Sequence, residues 1–139
     1  MDKLSIKIKF EKPLFFVDES RGYVKCTLKG VMRLPKEIAA SLGLPQYVNV
    51  SSKTAALCKP GDVFVAEKGR KITVAKAERN IYRNSAARLV KRWKALNDIQ
   101  VDYTKNPEHP TLNTGINAFV AKANGCVAHN ERYIREIAE

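Results

Sequence analysis

The sequence is poor in the residues that metal binding and catalysis use most. It contains two histidines, His109 and His129, which lie in different sequence contexts. Its three cysteines, Cys26, Cys58 and Cys126, are odd in number and widely spaced, and they form no C-x-x-C pair. A zinc site or a disulfide framework is therefore not expected, and this cysteine usage is typical of a reducing cytosol.

Long apolar runs and glycine-rich loops are also missing. No stretch approaches the roughly twenty apolar residues that span a bilayer, and the N-terminus alternates instead of forming a signal-peptide core. The glycines are scattered, so no phosphate-cradling G-x-x-x-x-G-K-[ST] loop exists. These absences predict a cytoplasmic protein without a membrane partner.

Acid and base pairs suited to catalysis are equally scarce. Asp18 and Glu19 are adjacent and so suit a turn better than paired acid and base work. Cys58 near Asp62 has no accompanying histidine, which favours a small buried cysteine at a strand end. We therefore predict a protein that is not an enzyme and that uses no cofactor and no metal.

Acidic residues are rarest in the middle of the chain, where the positive charge is densest. Between Glu67 and Lys94 there are ten basic residues and two acidic ones, a large part of the net charge of +11. A helix that is merely soluble usually interleaves both signs, so this imbalance favours a polyanionic partner. The alternative is a solvated helix face. The basic set is Lys68, Arg70, Lys71, Lys76, Arg79, Arg83, Arg88, Lys91, Arg92 and Lys94.

Near the N-terminus, two stretches alternate apolar and polar residues, a period of two that predicts strands with one face on a core. A polar turn ending at Gly22 separates them. Their polar positions are largely lysine, so the outer face of the hairpin should be basic. The apolar positions are Leu4, Ile6, Ile8, Phe10, Val24, Cys26 and Leu28, and the lysines opposite are Lys7, Lys9, Lys25 and Lys29.

Further elements follow along the chain. Residues 14–17, 47–50 and 54–58 are predicted to be extended, and a connector helix should begin at Pro35 and close at Gly43. A turn is expected at 59–62. Beyond it the period lengthens to three and four residues, which predicts a long helix with one apolar stripe. The stripe is Ile72, Ala75, Arg79, Tyr82, Ala86, Leu89, Trp93 and Leu96, with Arg79 as its polar interruption.

These patterns predict one α+β domain over residues 1–139, mainly β over 1–64 and mainly α over 65–139. A small antiparallel sheet would pack on the long basic amphipathic helix, and further C-terminal helical segments would cover a remaining face. We expect an irregular loop at 97–113 and a helix break at Gly125. The aromatic residues on apolar stripes are expected in the core; they are Phe10, Phe15, Phe16, Tyr82 and Trp93.

One segment resembles a pattern in small phage and prophage proteins. Residues 54–64, 67–72 and 75–77 carry Ala-x-Cys, then Pro-x-Asp-x-Phe, then Gly-x-Lys-Ile with a basic continuation. Residues 16–19 and 24–26 are similar to the hairpin that precedes it in those proteins. The chain departs from the pattern at Gly61 and Val65, where acidic residues are common, and its C-terminal third is not covered. The resemblance implies a phage origin, a bacterial host cytoplasm and a β-rich N-terminal half, and it implies no activity.

Our functional prediction is an accessory protein of phage type that binds DNA or RNA through phosphate contacts with little sequence preference. The alternative is a protein that inhibits a bacterial enzyme or defence complex by binding it or its ligand. No helix-turn-helix, zinc-finger or RNP pattern supports sequence-specific reading of bases. The predicted nucleic-acid-binding residues are Lys76, Arg83, Arg88, Lys91, Arg92 and Lys94 on the helix and Lys7, Lys9, Lys25 and Lys29 on the sheet.

Overall fold

The computed structural model describes residues 5–58, 61, 63–99 and 110–138. In these residues the fold is α+β, as predicted. Leu4, Tyr103, His109 and most of the predicted turn at 59–62 lie outside the described residues. The strands are β1 (Lys7–Phe10), β2 (Leu14–Asp18), β3 (Tyr23–Arg33) and β4 (Tyr47–Leu57), and the helices are α1 (Lys36–Leu42), α2 (Ala66–Ile99) and α3 (Pro110–Ala138).

The sheet is antiparallel, and β3 is its central strand. Strand β4 pairs with β3 along its whole length, so the two extended segments predicted at 47–50 and 54–58 are one strand. Strands β1 and β2 share the other edge of β3, with β1 beside residues 30–33 and β2 beside residues 23–27. The N-terminal edge is therefore one interrupted strand.

The interruption between β1 and β2 is a bulge that reverses which residues face inward. Lys7 pairs with Arg33 and Leu14 pairs with Thr27, so seven steps along this edge are matched by six steps along β3. Such an extra residue exchanges the two faces of the strand beyond it. Pro13 lies in this gap, where no ladder N–H is needed.

The bulge explains why part of the aromatic prediction is wrong. Trp93 is buried, and Phe10 and Tyr82 are half-buried against the core. Phe16, however, points away from the helices with 59% of its surface exposed. Phe15 keeps the inner side but is 38% exposed at the sheet edge, where the Arg70 guanidinium lies 5.9 Å from its ring centroid.

The predicted faces of β3 are confirmed. Val24, Cys26 and Leu28 are at most 1% exposed, whereas Lys25 and Lys29 are exposed. The helices lie on the side of Val24, so the inner face of the sheet carries the core. Period-two alternation was sufficient here because every second residue of a central strand meets the same packing layer.

Helix α1 begins after Pro35 and ends at Gly43, whose φ of 66° closes the helix in the left-handed region. Both predicted boundaries are confirmed. The expectation that this helix only connects strands is wrong, because Ile38, Ala39 and Leu42 are buried in the main core. A seven-residue helix can contribute in this way when its apolar residues recur at steps of three and four.

Helix α2 packs against the sheet on one side and against α3 on another. The predicted stripe is confirmed at Ala75, Ala86, Leu89 and Trp93, whereas Ile72 is only half-buried. The sheet-facing side was missed because three of its four residues, which recur at four-residue steps, are small or polar. The four residues are Gly69, Thr73, Ala77 and Ile81, of which Thr73 and Ala77 are fully buried.

Close contact between α2 and the sheet accounts for these small residues. A Cβ atom at Gly69 would lie 2.6 Å from Cγ2 of Val24, so glycine lets the first turn of α2 approach β3. Further along, Thr54 Oγ1 donates to the Thr73 carbonyl at 2.7 Å, and this bond ties β4 to the helix. The glycine that weakens α2 as an isolated helix thus strengthens its packing on the sheet.

Helix α3 is continuous through Gly125, so the predicted break is wrong. Glycine in a helix interior costs about 1 kcal/mol relative to alanine, and the packing of Ile116, Phe119 and Ala123 in the core outweighs this. The predicted irregular loop at 97–113 is also too long, because α2 continues to Ile99 and α3 begins at Pro110.

Candidate nucleic-acid interface

The outer face of the sheet is an uncovered basic surface among the described residues. All described helices lie against the inner face, and the outward-facing residues of the strands are mostly exposed. We call this surface the outer sheet face. Its basic residues are all exposed, and they are Lys7, Lys9, Lys25, Lys29, Arg33 and Lys53.

These cations lie on β1 at one edge of the sheet, on the central strand β3 and on β4 at the other edge. Lys7 lies opposite Arg33 at one end, and Lys25 and Lys29 follow along the central strand. Lys53 stands on β4 opposite Thr27. The structure therefore brings the four predicted sheet lysines together and adds two cations that the sequence analysis did not select.

Negative charge on the outer sheet face comes from Asp18 and from Glu11, an exposed residue just beyond β1 whose amide donates to the Lys29 carbonyl at 2.8 Å. Asp18, at the end of β2, accepts hydrogen bonds at Oδ1 from the Ser20 hydroxyl at 2.6 Å and from the Ser20 and Arg21 amides at 3.1 and 3.3 Å. These bonds, that of the Ser20 hydroxyl first, lower the pKa of Asp18 below 3.8. The carboxylate of Asp18 serves the β2–β3 turn, and the six cations of the outer sheet face outnumber Asp18 and Glu11.

Exposed apolar side chains share the outer sheet face with the cations. Phe16 and Tyr47 are 59% and 64% exposed, and Leu14 and Leu57 are equally open. Sequence reasoning missed Phe16 because the bulge before β2 cannot be seen in the alternation of Leu14 to Val17. Tyr47 carried a weak signal, since it opens a strand whose first residues follow a proline-containing turn.

Two of the predicted helix residues are engaged within the protein. Arg83 Nη2 donates to Glu131 Oε1 of α3 at 2.6 Å, and Lys76 Nζ donates to the Ala55 carbonyl of β4 at 3.1 Å. Arg83 thus helps hold α2 to α3, although an ion pair this exposed contributes only about 0.2–1 kcal/mol. Neither side chain is placed as a free phosphate ligand.

The other predicted helix residues form a separate surface. Arg88, Lys91, Arg92 and Lys94 are exposed, and none has an ion-pair partner in the part of the chain that the structure describes. We call these four residues the α2 basic face. Because α2 lies behind the inner face of the sheet, the α2 basic face and the outer sheet face do not form one continuous site.

A solvent-open cleft between α2, α3 and the β1–β2 edge gathers several ionisable groups. It comprises two adjoining cavities of about 330 and 380 Å³, both lined by Glu78, His129 and Asn130. Burial raises the pKa of Tyr82 above 10.0, and the neighbouring Cys126 and Glu78 raise it further. A raised pKa keeps the phenol of Tyr82 protonated at neutral pH, so Tyr82 is not an activated base or nucleophile there.

Glu78 should make the stability of the fold depend on pH. Burial raises the pKa of its carboxyl above 4.5, and His129 offsets part of this. A raised carboxyl pKa favours the folded state below the ordinary pKa, and that contribution is lost as pH rises through the folded pKa. Glu78→Gln should therefore raise the melting temperature by a few degrees at pH 7.

The pH profile separates this effect from a general change in packing. Melting curves of Glu78→Gln and of the parent protein should converge below about pH 4, where the glutamate is neutral in both states. The other charged or titratable residues that line the cleft are Arg70, Lys71, Lys122 and His129. Glu67 lies on the same helix as Glu78 and is exposed, so Glu67→Gln serves as the exposed-carboxylate control. An unchanged or lower melting temperature of Glu78→Gln at pH 7 would contradict the assignment.

Two further observations bear on the class of site. Within the described ranges, no group of three or more His, Cys, Asp or Glu side chains is placed to hold a metal ion. No described helix combines the length and the apolar character needed to cross a membrane.

Comparison of the chain with protein-family models, curated proteins and solved structures finds no match.

Proposed function

We propose that the protein binds DNA or RNA through phosphate contacts and that the outer sheet face is the principal contact surface. The observation that carries the proposal is the exposure of six cations on one uncovered face, against the acidic residues Asp18 and Glu11. Like charges this close repel one another in the free protein, and a polyanion relieves that repulsion by displacing its own counterions into solution.

The α2 basic face supports the same class of partner as a second contact. Arg88 to Lys94 add four cations within two helical turns, with no acidic residue between Arg79 and Ala95. Its position behind the sheet means that a short oligonucleotide cannot lie on both surfaces at once. A longer strand that wraps the edge of the domain can reach both.

Salt dependence is the direct test of phosphate contact. If all six cations of the outer sheet face engage phosphates, raising salt from 50 to 200 mM should weaken duplex binding about 2,000-fold and single-strand binding about 300-fold. Fluorescence anisotropy with labelled single- and double-stranded DNA and RNA at four salt concentrations gives the slope. Affinity that is no better than micromolar at 50 mM salt would count against the proposal.

The same titration evaluates the second candidate, a protein partner in a bacterial cell. The exposed apolar residues Leu14, Phe16 and Leu57 on the outer sheet face favour that candidate, because exposed large apolar side chains on one face often mark protein interfaces. Tight nucleic-acid binding that hardly changes with salt, or none at all, would direct attention to an acidic protein surface instead.

A further inference from the structure

We infer that the outer sheet face is a stacking platform for unpaired bases, with Phe16 and Tyr47 as its two stacking residues, so that single strands are preferred over duplex. This inference rests on the proposed function and assigns its substrate class. Aromatic side chains exposed among cations are the combination that holds single-stranded nucleic acid, because each base has a face that can stack and each nucleotide brings a phosphate.

The rings of Phe16 and Tyr47 are available for such contact. Tyr82 makes ring–ring contacts with Phe10 and with Phe119, and Arg70 makes a cation–ring contact with Phe15. Phe16 and Tyr47 take part in none of these. More than half of each side chain is accessible to solvent, which exposes at least one face of each ring.

Each stacking residue has a cation directly beside it in the sheet register. Phe16 is the cross-strand partner of Lys25, and Tyr47 is the cross-strand partner of Arg33. Side chains in such pairs start about 5 Å apart and point to the same face. A base stacked on either ring therefore places its own phosphate within reach of the adjacent lysine or arginine.

The spacing of the two pairs sets the length of strand that can use both. Lys25 and Arg33 are eight residues apart on β3, and their aromatic partners lie on opposite neighbouring strands. With about 3.3 Å per residue and about 4.8 Å between strands, Phe16 and Tyr47 are separated by about 28 Å. At the duplex rise of about 3.4 Å per nucleotide, about eight nucleotides join them, and a more extended single strand needs fewer.

Duplex offers this platform much less. Its bases are already paired and stacked inside the helix, so only its phosphates can meet the outer sheet face. Cations at both ends and along the centre still attract duplex, and this attraction is sequence-independent and salt-dependent. The stacking residues therefore add affinity for single strands alone.

The experiment compares a 12-nucleotide oligothymidylate, a 4-nucleotide oligothymidylate and a 12-base-pair duplex on the full chain, by anisotropy at 100 mM salt. The variants are Phe16→Leu, Tyr47→Leu and the double change, which keep apolar surface but remove the stacking ring. Phe15→Leu is the matched control, because it is the neighbouring aromatic on the opposite face of the same strand. Circular dichroism melting confirms that each variant is folded.

The expected result is a loss of about 5- to 150-fold in affinity for the 12-nucleotide strand with each single change. Duplex binding and the Phe15→Leu control should stay within about twofold of the parent protein. The parent protein should also bind the 12-nucleotide strand more tightly than the 4-nucleotide strand by more than the loss of phosphates explains, and the double change should abolish that excess.

Different outcomes overturn the inference and the proposed function separately. If the folded double variant binds both nucleic acids as the parent protein does, with the same salt slope, stacking is wrong while phosphate binding stands. If the parent protein binds no nucleic acid at 50 mM salt, both are wrong. If the variants lose self-association or protein binding instead, the apolar residues of the outer sheet face serve a protein interface and the inference is wrong.

Discussion

Replacement of Trp93 by alanine should lower the free energy of unfolding by about 3–5 kcal/mol, the usual cost of removing a large buried aromatic side chain. Trp93 is 7% exposed and packs in the main core, which α1, α2, α3 and the sheet build together. Alanine would leave a cavity, because the three helices that pack around this position cannot all move inward to fill it. Urea denaturation followed by far-ultraviolet circular dichroism measures the change without relying on tryptophan fluorescence.

Neighbouring substitutions decide whether the loss reflects packing. Lys94→Ala changes the next residue of α2, which is exposed, and should alter stability by less than about 0.5 kcal/mol. Trp93→Phe keeps much of the volume and should lose clearly less than the alanine variant. Full stability of Trp93→Ala together with lost ligand binding would instead make Trp93 an exposed contact.

Most of the fold follows from short-range patterns that the sequence displays openly. On the central strand, the alternation of Val24, Cys26 and Leu28 predicts which face of the strand is buried. On α2, the helical spacing of Ala86, Leu89 and Trp93 predicts the buried face of the helix in the same way. Sequence also marked the ends of α1, because proline and glycine have local conformational preferences that hold in most contexts.

The parts that sequence missed depend on partners distant in the chain. From the sequence alone, Gly69 is expected only to weaken the helix. In the fold it packs against Val24, where any side chain at position 69 would clash. From the sequence alone, Gly125 is expected to break the helix. In the fold α3 stays continuous because residues of its preceding turns pack in the core. In both cases tertiary packing decides against local propensity.

The candidate site was foreseeable in its charge and not in its geometry. The lysines of the first hairpin were assigned to a solvent-facing side from alternation alone, which the structure confirms for Lys25 and Lys29. That Arg83 binds Glu131, 48 positions away, could not be read from the helix pattern. The exposure of Phe16 could be predicted only from the register shift between β1 and β2, and that shift is visible only in their pairing with β3.

Charge reversal at Lys25 and Lys29 should have the largest effect on duplex binding. These lysines stand on the central strand of the outer sheet face, so Lys25→Glu with Lys29→Glu removes two phosphate contacts from its middle. At 0.1 M salt, lost counterion release alone should weaken duplex binding about 60-fold and single-strand binding about 25-fold, and repulsion by the new carboxylates adds to this. Anisotropy titration measures the loss, and melting should change by only a few degrees because both side chains are exposed.

The matched control makes the same charge change on the α2 basic face. Lys91→Glu with Lys94→Glu alters net charge equally and leaves the Arg83 bond to Glu131 intact. If the outer sheet face is the principal surface, this variant should lose less than about tenfold, because only the long-range field is reduced. An equal loss in both variants would indicate non-specific attraction to the total charge of the protein. A larger loss in the helix variant would transfer the interface to α2, where the density of positive charge along the sequence is highest.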